Sequence, residues 1–245
     1  MLETWLLTFC RFAPVAALHP VFGARGVPRA VAVGVAAAFA GVAVSRHPST
    51  FGGGLADLGF AGARELAIGT TIALLGQCVF GAIEAAGRFV DDARGANVAH
   101  LYAPQIEAVA SPLGQLELSA ALAVFWGAGV YRPMLVGLLR SLDAIPPGTA
   151  LPPIASLDGV LDVAAALTRA ALALAGPAAA SCVLVDVAMG FVNRASPSAN
   201  VFLLGQPVKL AAAVLVTAAG APVRIGVWGG MWRGQAEWVR GLVGI

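Results

Sequence analysis

Residues 177–209, PAAASCVLVDVAMGFVNRASPSANVFLLGQPVK, put two charges inside apolar sequence on either side of a polar break. Asp186 sits in the first apolar run, Asn193-Arg194-Ala195-Ser196-Pro197 interrupts it, and the only lysine, Lys209, sits in the second. A charge at the centre of a bilayer costs ~3 kcal/mol on insertion scales, so such residues face protein or a wet cavity and act there. Two of them around a Pro-marked turn predict a helical hairpin that packs against other protein and not against lipid alone.

The rest of the chain has the same character. It is 59% hydrophobic, only 11% charged and has a mean hydropathy of +0.84, whereas soluble domains carry about 25% charged residues. The composition predicts a membrane protein. Its 245 residues leave room for several spans of ~20 residues each, read here as one domain over 1–245. Near balance between 15 basic and 13 acidic residues argues against a nucleic-acid partner. The chain opens Met1-Leu2-Glu3 without a basic n-region or a small-residue cleavage site, so its first helix is expected to remain in the mature protein.

Apolar segments run over about 4–18, 30–44, 66–83, 113–142, 163–192 and 198–223, separated by turn-forming clusters. Helix is expected in each, because open strand edges cannot face lipid and no alternating barrel pattern occurs. The helices are interrupted in an unusual way. Arg11 splits the first, Glu65 and Glu84 bracket the third, and Glu117 enters the fourth, which Arg132-Pro133 is expected to break. Such charges suit helices surrounded by other subunits. Toward the C-terminus Arg224, Arg233 and Arg240 lie among Trp228, Trp232 and Trp238, a mixture expected of an amphipathic tail over about 224–245 on a membrane face, with membrane lipid as its partner.

Catalytic and metal signatures are weak. Asp91-Asp92 lacks the second Asp motif that a Mg²⁺-diphosphate site needs, and pairing of these helix-end charges with Arg88 and Arg94 is the better expectation. Cys10, Cys78 and Cys182 are far apart, as are His19, His47 and His100, and neither set has metal-ligand spacing. No Walker loop, HExxH or nucleophile elbow is present. No enzyme, cofactor or metal is therefore expected. Asp186 alone leaves two readings open: a polar contact between helices, or the coupling acid of a small proton-coupled secondary transporter. Ala93–Pro112 reads as a long non-helical connection, and connections of ~20 residues inside compact folds are usually functional. Its mixture of Asn97, His100, Tyr102, Pro104 and Glu107 with small apolar residues suits a loop folded back into a cavity.

Several stretches, in consistent order, resemble one family, the FliR/SctT component of the type III export apparatus, flagellar or virulence-associated. They are Arg11-x-x-Pro14 with Pro20-Val21-Phe22-Gly23 and Val27-Pro28; Glu65-Leu66-x-Ile68-Gly69; Phe80-Gly81-Ala82, Gly87 and Asp91 to Gly95; Ser141-Leu142 with Ile145-Pro146; and Asp186-x-x-x-Gly190, Asn193-Arg194, Pro197, Asn200-Val201-Phe202, Gly205, Pro207 and Lys209. Asp91-x-x-Arg94-Gly95 followed by Ser111-Pro112-Leu113-Gly114 resembles the secretion-system branch more than the flagellar one. Ala103-Pro104 stands where an Asp-Pro pair is common in the family.

The resemblance implies an all-α membrane protein of bent helical hairpins, packed in a helical hetero-oligomeric export gate in the bacterial inner membrane. It implies SctR/FliP-type and SctS/FliQ-type partners at about 5:4:1 with this chain. A SctU/FlhB-type switch protein and a SctV/FlhA-type export gate dock nearby, and unfolded exported proteins pass through the pore. It further implies a plug loop carried by Gly95, Ala96, Asn97, His100, Tyr102, Pro104, Glu107 and Ser111. Asp91, Arg94, Asp186, Asn193, Arg194, Asn200 and Lys209 are expected to make polar contacts between helices and subunits.

Overall fold

The computed structural model describes residues 2–22, 28–46, 51–96, 111–149, 157–196 and 201–243. Among these residues the chain is helical throughout and holds no strand: α1 Leu2–Leu18, α2 Arg29–Arg46, α3 Leu55–Ala93, α4 Pro112–Gly127, α5 Tyr131–Ala144, α6 Leu157–Ala195, α7 Val201–Ala219 and α8 Ala221–Val243. Two helices, α3 and α6, are long and apolar enough to cross a membrane. The α4–α5 and α7–α8 pairs, each bent by more than 40° at a short break, raise the count to four if each pair is one span. The protein is an all-α membrane protein.

Helix lengths depart from the apolar runs for a local reason. Helix α3 extends well beyond the apolar stretch 66–83, because Arg64, Glu65, Glu84 and Arg88 favour helix as well as any apolar residue does. Arg88 and Glu84, one turn apart, pair at 2.6 Å. The break in the fourth apolar segment falls at Ala128–Val130, ahead of Arg132-Pro133. Gly129 adopts φ +71, and the amides of Gly129 and Val130 bond back to Trp126 and Phe125. That is a Schellman ending, which a left-handed glycine permits; Pro133 follows harmlessly in the first turn of α5. The last apolar segment, 198–223, is broken at Gly220. Pro222 has no N–H for the carbonyl of Ala218, so α7 stops and α8 begins.

The chain divides into two compact units. The first comprises Met1–Val79, Phe125–Ala164 and Trp232–Ile245. Its core takes Phe12, Val15 and Ala16 from α1, Ala36 and Ala43 from α2, Ile68, Ile72 and Ala73 from α3, and Leu138, Leu142 and Ile145 from α5 and its end. The i, i+3, i+4 spacing on α1 and the i, i+4, i+5 spacing on α3 turn one stripe of each helix inward. Helices α1 and α3 touch closely at Gly69, where any Cβ would collide with the carbonyl of Arg11.

The second unit comprises Phe80–Val124 and Ala165–Met231. Helix α3 contributes Phe80, Ile83, Ala86 and Val90 to its interior, and α6 contributes Leu174, Ala175, Ala178, Ala179 and Cys182. Small side chains on that face of α6 let neighbouring backbones come near, as membrane helices require where no hydrophobic effect drives them together. Trp228 and Trp232, together with Arg224, are buried in the structure. The Trp232 indole meets Phe125 edge-on within the first unit.

Candidate functional site

In the first unit, the charges that interrupt the apolar helices are matched with one another. Arg11 is completely buried. Its Nε donates to Glu65 Oε2 at 2.5 Å, and its two terminal nitrogens donate to the carbonyls of Ser141 and Ile145, each at 2.8 Å. Those carbonyls belong to the end of α5, a helix terminus that attracts cations, and that of Ser141 also accepts the Ile145 amide at 3.0 Å. Glu65 Oε1 in turn accepts the amide of Gly148 at 3.2 Å. One arginine thus ties α1, α3 and the end of α5.

The second unit repeats the device. Arg224 of α8 forms a two-pronged bond with Glu117 of α4, its Nε lying 3.2 Å from Oε2 and its second nitrogen meeting Oε1. Its remaining nitrogen donates to the Leu174 carbonyl of α6 at 2.8 Å. Both partners are buried. An isolated charge in that setting would be costly, and the fork geometry of arginine satisfies carboxylate and carbonyl together.

Asp91 makes a third arrangement, at the corner where α3 ends and α4 begins. Its carboxylate accepts Arg94 Nε at 2.6 Å, the Leu113 amide at 2.9 Å and the Ser111 hydroxyl. Ser111 is the N-cap of α4, its oxygen accepting the Gly114 amide at 3.0 Å. Helix α3 closes with Gly95 at φ +82, the amides of Gly95 and Ala96 bonding to the carbonyls of Asp92 and Asp91 at 3.0 Å. This Schellman geometry needs the glycine. Gly87 and Gly114 face each other across the corner, and a Cβ on Gly87 would strike the backbone of Leu113 and Gly114. Residues 96 and 111, which flank 97–110, are therefore held at one rigid place.

A fourth arrangement links the two helices around the sequence feature that opened the reading. Lys209 Nζ of α7 lies 2.5 Å from Asp186 Oδ1 of α6. Gly205 packs at ordinary contact distance against Met189. Asn193 and Arg194 are exposed in the last turn of α6. Asn200 lies outside the described residues, as do Asn97, His100, Tyr102, Pro104 and Glu107.

Of the residues singled out from sequence, the structure therefore brings Asp91, Arg94 and Ser111 into one cluster beside Gly95 and Ala96, and joins Asp186 to Lys209. Arg88 takes Glu84 and not Asp91. Sequence reasoning noticed Arg11, Glu65 and Glu117 as interruptions but assigned them no partner, and it placed Arg224 at an interface. The available signal was their shared setting: a charge in an apolar helix needs a counter-charge, and two acids with two arginines were on offer. Among the described residues no three His, Cys, Asp or Glu side chains gather as metal ligands would.

His19, just past the end of α1, is buried and its pKa is lowered to about 4 by loss of solvent. Its ring fills the place that a Cβ on Gly76 would need.

Comparison with known proteins matches residues 2–234 to the family described as bacterial export proteins, family 1. The flagellar biosynthetic protein FliR of Bacillus subtilis (strain 168) is 28% identical over 223 residues, which is 88% of this chain and 85% of that protein. The Yop proteins translocation protein T of Yersinia pestis is 29% identical over 155 residues, 62% of this chain and 59% of that one. The secretion system apparatus protein SsaT of Salmonella typhimurium is 30% identical over 146 residues, with 59% and 56% covered.

Proposed function

Since the chain belongs to the bacterial export proteins, family 1, we propose that it is a non-catalytic structural and gating subunit of a type III protein-export channel in the bacterial inner membrane. It closes a pore complex built with SctR/FliP-type and SctS/FliQ-type subunits at about 5:4:1. SctU/FlhB-type and SctV/FlhA-type proteins stand beside that complex, and unfolded exported proteins cross through it. Its similarity to FliR, to the Yop translocation protein T and to SsaT supports a place in such an apparatus. The transporter reading of Asp186 loses ground, because export proteins are its relatives and because the carboxylate is bonded to Lys209.

In this reading the segment from Gly95 to Ser111 is the plug that closes the pore between transport events. The observation that carries it is the corner at Asp91. Ahead of 97–110 the Ala96 amide bonds to the Asp91 carbonyl, and beyond it the Ser111 hydroxyl and the Leu113 amide bond to the Asp91 carboxylate, with Gly87 and Gly114 in close contact beside them. A loop that must block and clear a channel needs such an anchored base.

Deleting residues 97–110 tests the assignment. The expected result is a complex that assembles with its partners at normal yield and leaks ions across the membrane. A tight membrane with normal assembly would remove the plug from the account. Co-purification tests the wider proposal: the full-length chain should bring down two other small membrane proteins in unequal copy number. Recovery of an ion-transporting homodimer would overturn it in favour of the transporter.

A further inference from the structure

The two members of the Asp186–Lys209 pair are not equally engaged. The Lys209 side chain is 13% exposed, whereas that of Asp186 is 51% exposed. Oδ1 of Asp186 meets Lys209, and Val183, Leu184 and Val187, close to it along α6, are exposed as well. Apolar exposure continues through Phe191 and Val192, so this part of the helix has not yet reached a polar boundary. The end of α6 at Ala195 is ~14 Å further on at 1.5 Å per residue. Lysine and arginine narrow such a gap with long stems, which a carboxylate on one methylene cannot do. Helix α6 is also one of the two helices long and apolar enough to cross a membrane. Hydrocarbon offers no hydrogen-bond donor to an exposed carboxylate, so something else must.

We infer that Asp186 is a docking point for a membrane helix of another subunit, one with an apolar face that carries an arginine, lysine or amide side chain. Lys209 acts only within the chain, holding the carboxylate in position. The inference rests on the reading of the chain as one subunit of a multi-chain export complex. Charge complementarity selects the occupant: the site is an acceptor set in an apolar face, and a purely apolar helix would leave it unsatisfied. One turn along α6, Gly190 has nothing within 4 Å of where its Cβ would be, which leaves room for a close helix approach.

The test uses the full chain expressed with its partner subunits, and reads the yield of intact complex. Asp186→Leu should lower that yield on the order of tenfold, the factor that ~1.4 kcal/mol gives. Lys209→Met breaks the same intrachain pair and should retain most of the complex. The decisive variant is the exchange Asp186→Lys with Lys209→Asp, which restores an intrachain pair but presents a lysine outward. Its yield should stay as low as that of Asp186→Leu. A photo-crosslinking residue at Gly190 should map to a partner helix with a basic or amide side chain within one turn of the captured position.

Recovery of wild-type yield by the exchange would overturn the inference and make the pair purely internal. Normal assembly of Asp186→Leu, or cross-links to lipid alone, would overturn it as well. A failed fold is separated from a failed contact by helical content and by the size of the isolated chain in detergent, with Asp186→Asn as the milder variant. If the wild-type chain recovers no other membrane protein, the export-complex reading itself fails. If wild type assembles and the Asp186 variants do too, only the docking point is lost.

Discussion

Arg11 offers the sharpest test of what holds the first unit together. Arg11→Met would remove three bonds at once. Glu65 would be left buried without its cation, which costs ~3–5 kcal/mol when one partner of a buried pair is deleted. The carbonyls of Ser141 and Ile145 would each lose a donor as well, at ~1 kcal/mol apiece. A total of ~5–7 kcal/mol approaches the whole stability of an ordinary domain, ~5–15 kcal/mol. The single variant should therefore express poorly and be rapidly degraded.

Removing both charges behaves differently. In Arg11→Met with Glu65→Leu no buried carboxylate is stranded, and the apolar replacements fit the surrounding core of Phe12, Ile68 and Leu142. What remains lost is the pair of α5 carbonyl bonds and the Gly148 amide bond, so the double variant should be only ~2–3 kcal/mol less stable than wild type. The quantity to measure is this non-additivity, by denaturant unfolding of the detergent-purified chain followed by circular dichroism, with protease resistance in membranes as a second readout. A double variant as unstable as the sum of the two singles would refute the argument. It would mean that Arg11 and Glu65 contribute independently, with no coupling between them.

Three further expectations follow from the same geometry. Gly87→Ala should disrupt the α3–α4 corner, since the added methyl meets backbone of Leu113 and Gly114 that cannot rotate away; a thermal midpoint within error of wild type would contradict this. Ser111→Ala removes the N-cap of α4 and a donor to Asp91, lowering stability by ~1–2 kcal/mol; Ser111→Thr should restore most of it in the same unfolding assay. His19, with a folded pKa of about 4 against an ordinary 6.5, makes the unfolded state the better proton binder between those values. Stability from His19 is then complete above pH 6.5 and is lost as pH falls toward 4, by at most ~3 kcal/mol at 1.36 kcal/mol per unit. His19→Phe should flatten that part of the pH–stability curve, and an unchanged slope would show that His19 is not the group responsible.

Hydropathy identifies which residues leave water, and that much was legible here: each apolar segment contains helix, and the hairpin around Asn193 and Arg194 joins α6 to α7. It says less about where a helix stops. Helix α3 runs through Glu65 and Glu84 because ionisable residues propagate a helix while contributing nothing to an apolar average. Breaks likewise followed backbone chemistry and not charge: Gly129 and Pro222 end helices inside apolar segments, whereas Arg132-Pro133 merely follows such an end.

The pairings were the least legible part, and the reason is geometric. Periodicity assigns a residue to a face of its own helix but not to a neighbour, and Arg11 lies 54 positions from Glu65 as Glu117 lies 107 from Arg224. Lys209 shows what this changes. In the sequence it stood with Asp186 as one of two charges expected to make polar contacts between helices and subunits. In the structure the Lys209 side chain is 13% exposed and that of Asp186 51%. The same two residues therefore make opposite predictions under charge exchange, depending on whether the hairpin is held by its own pair or by a neighbour. A family resemblance can say that such a hairpin packs against other subunits; the unequal exposure of the pair identifies the residue through which it would do so.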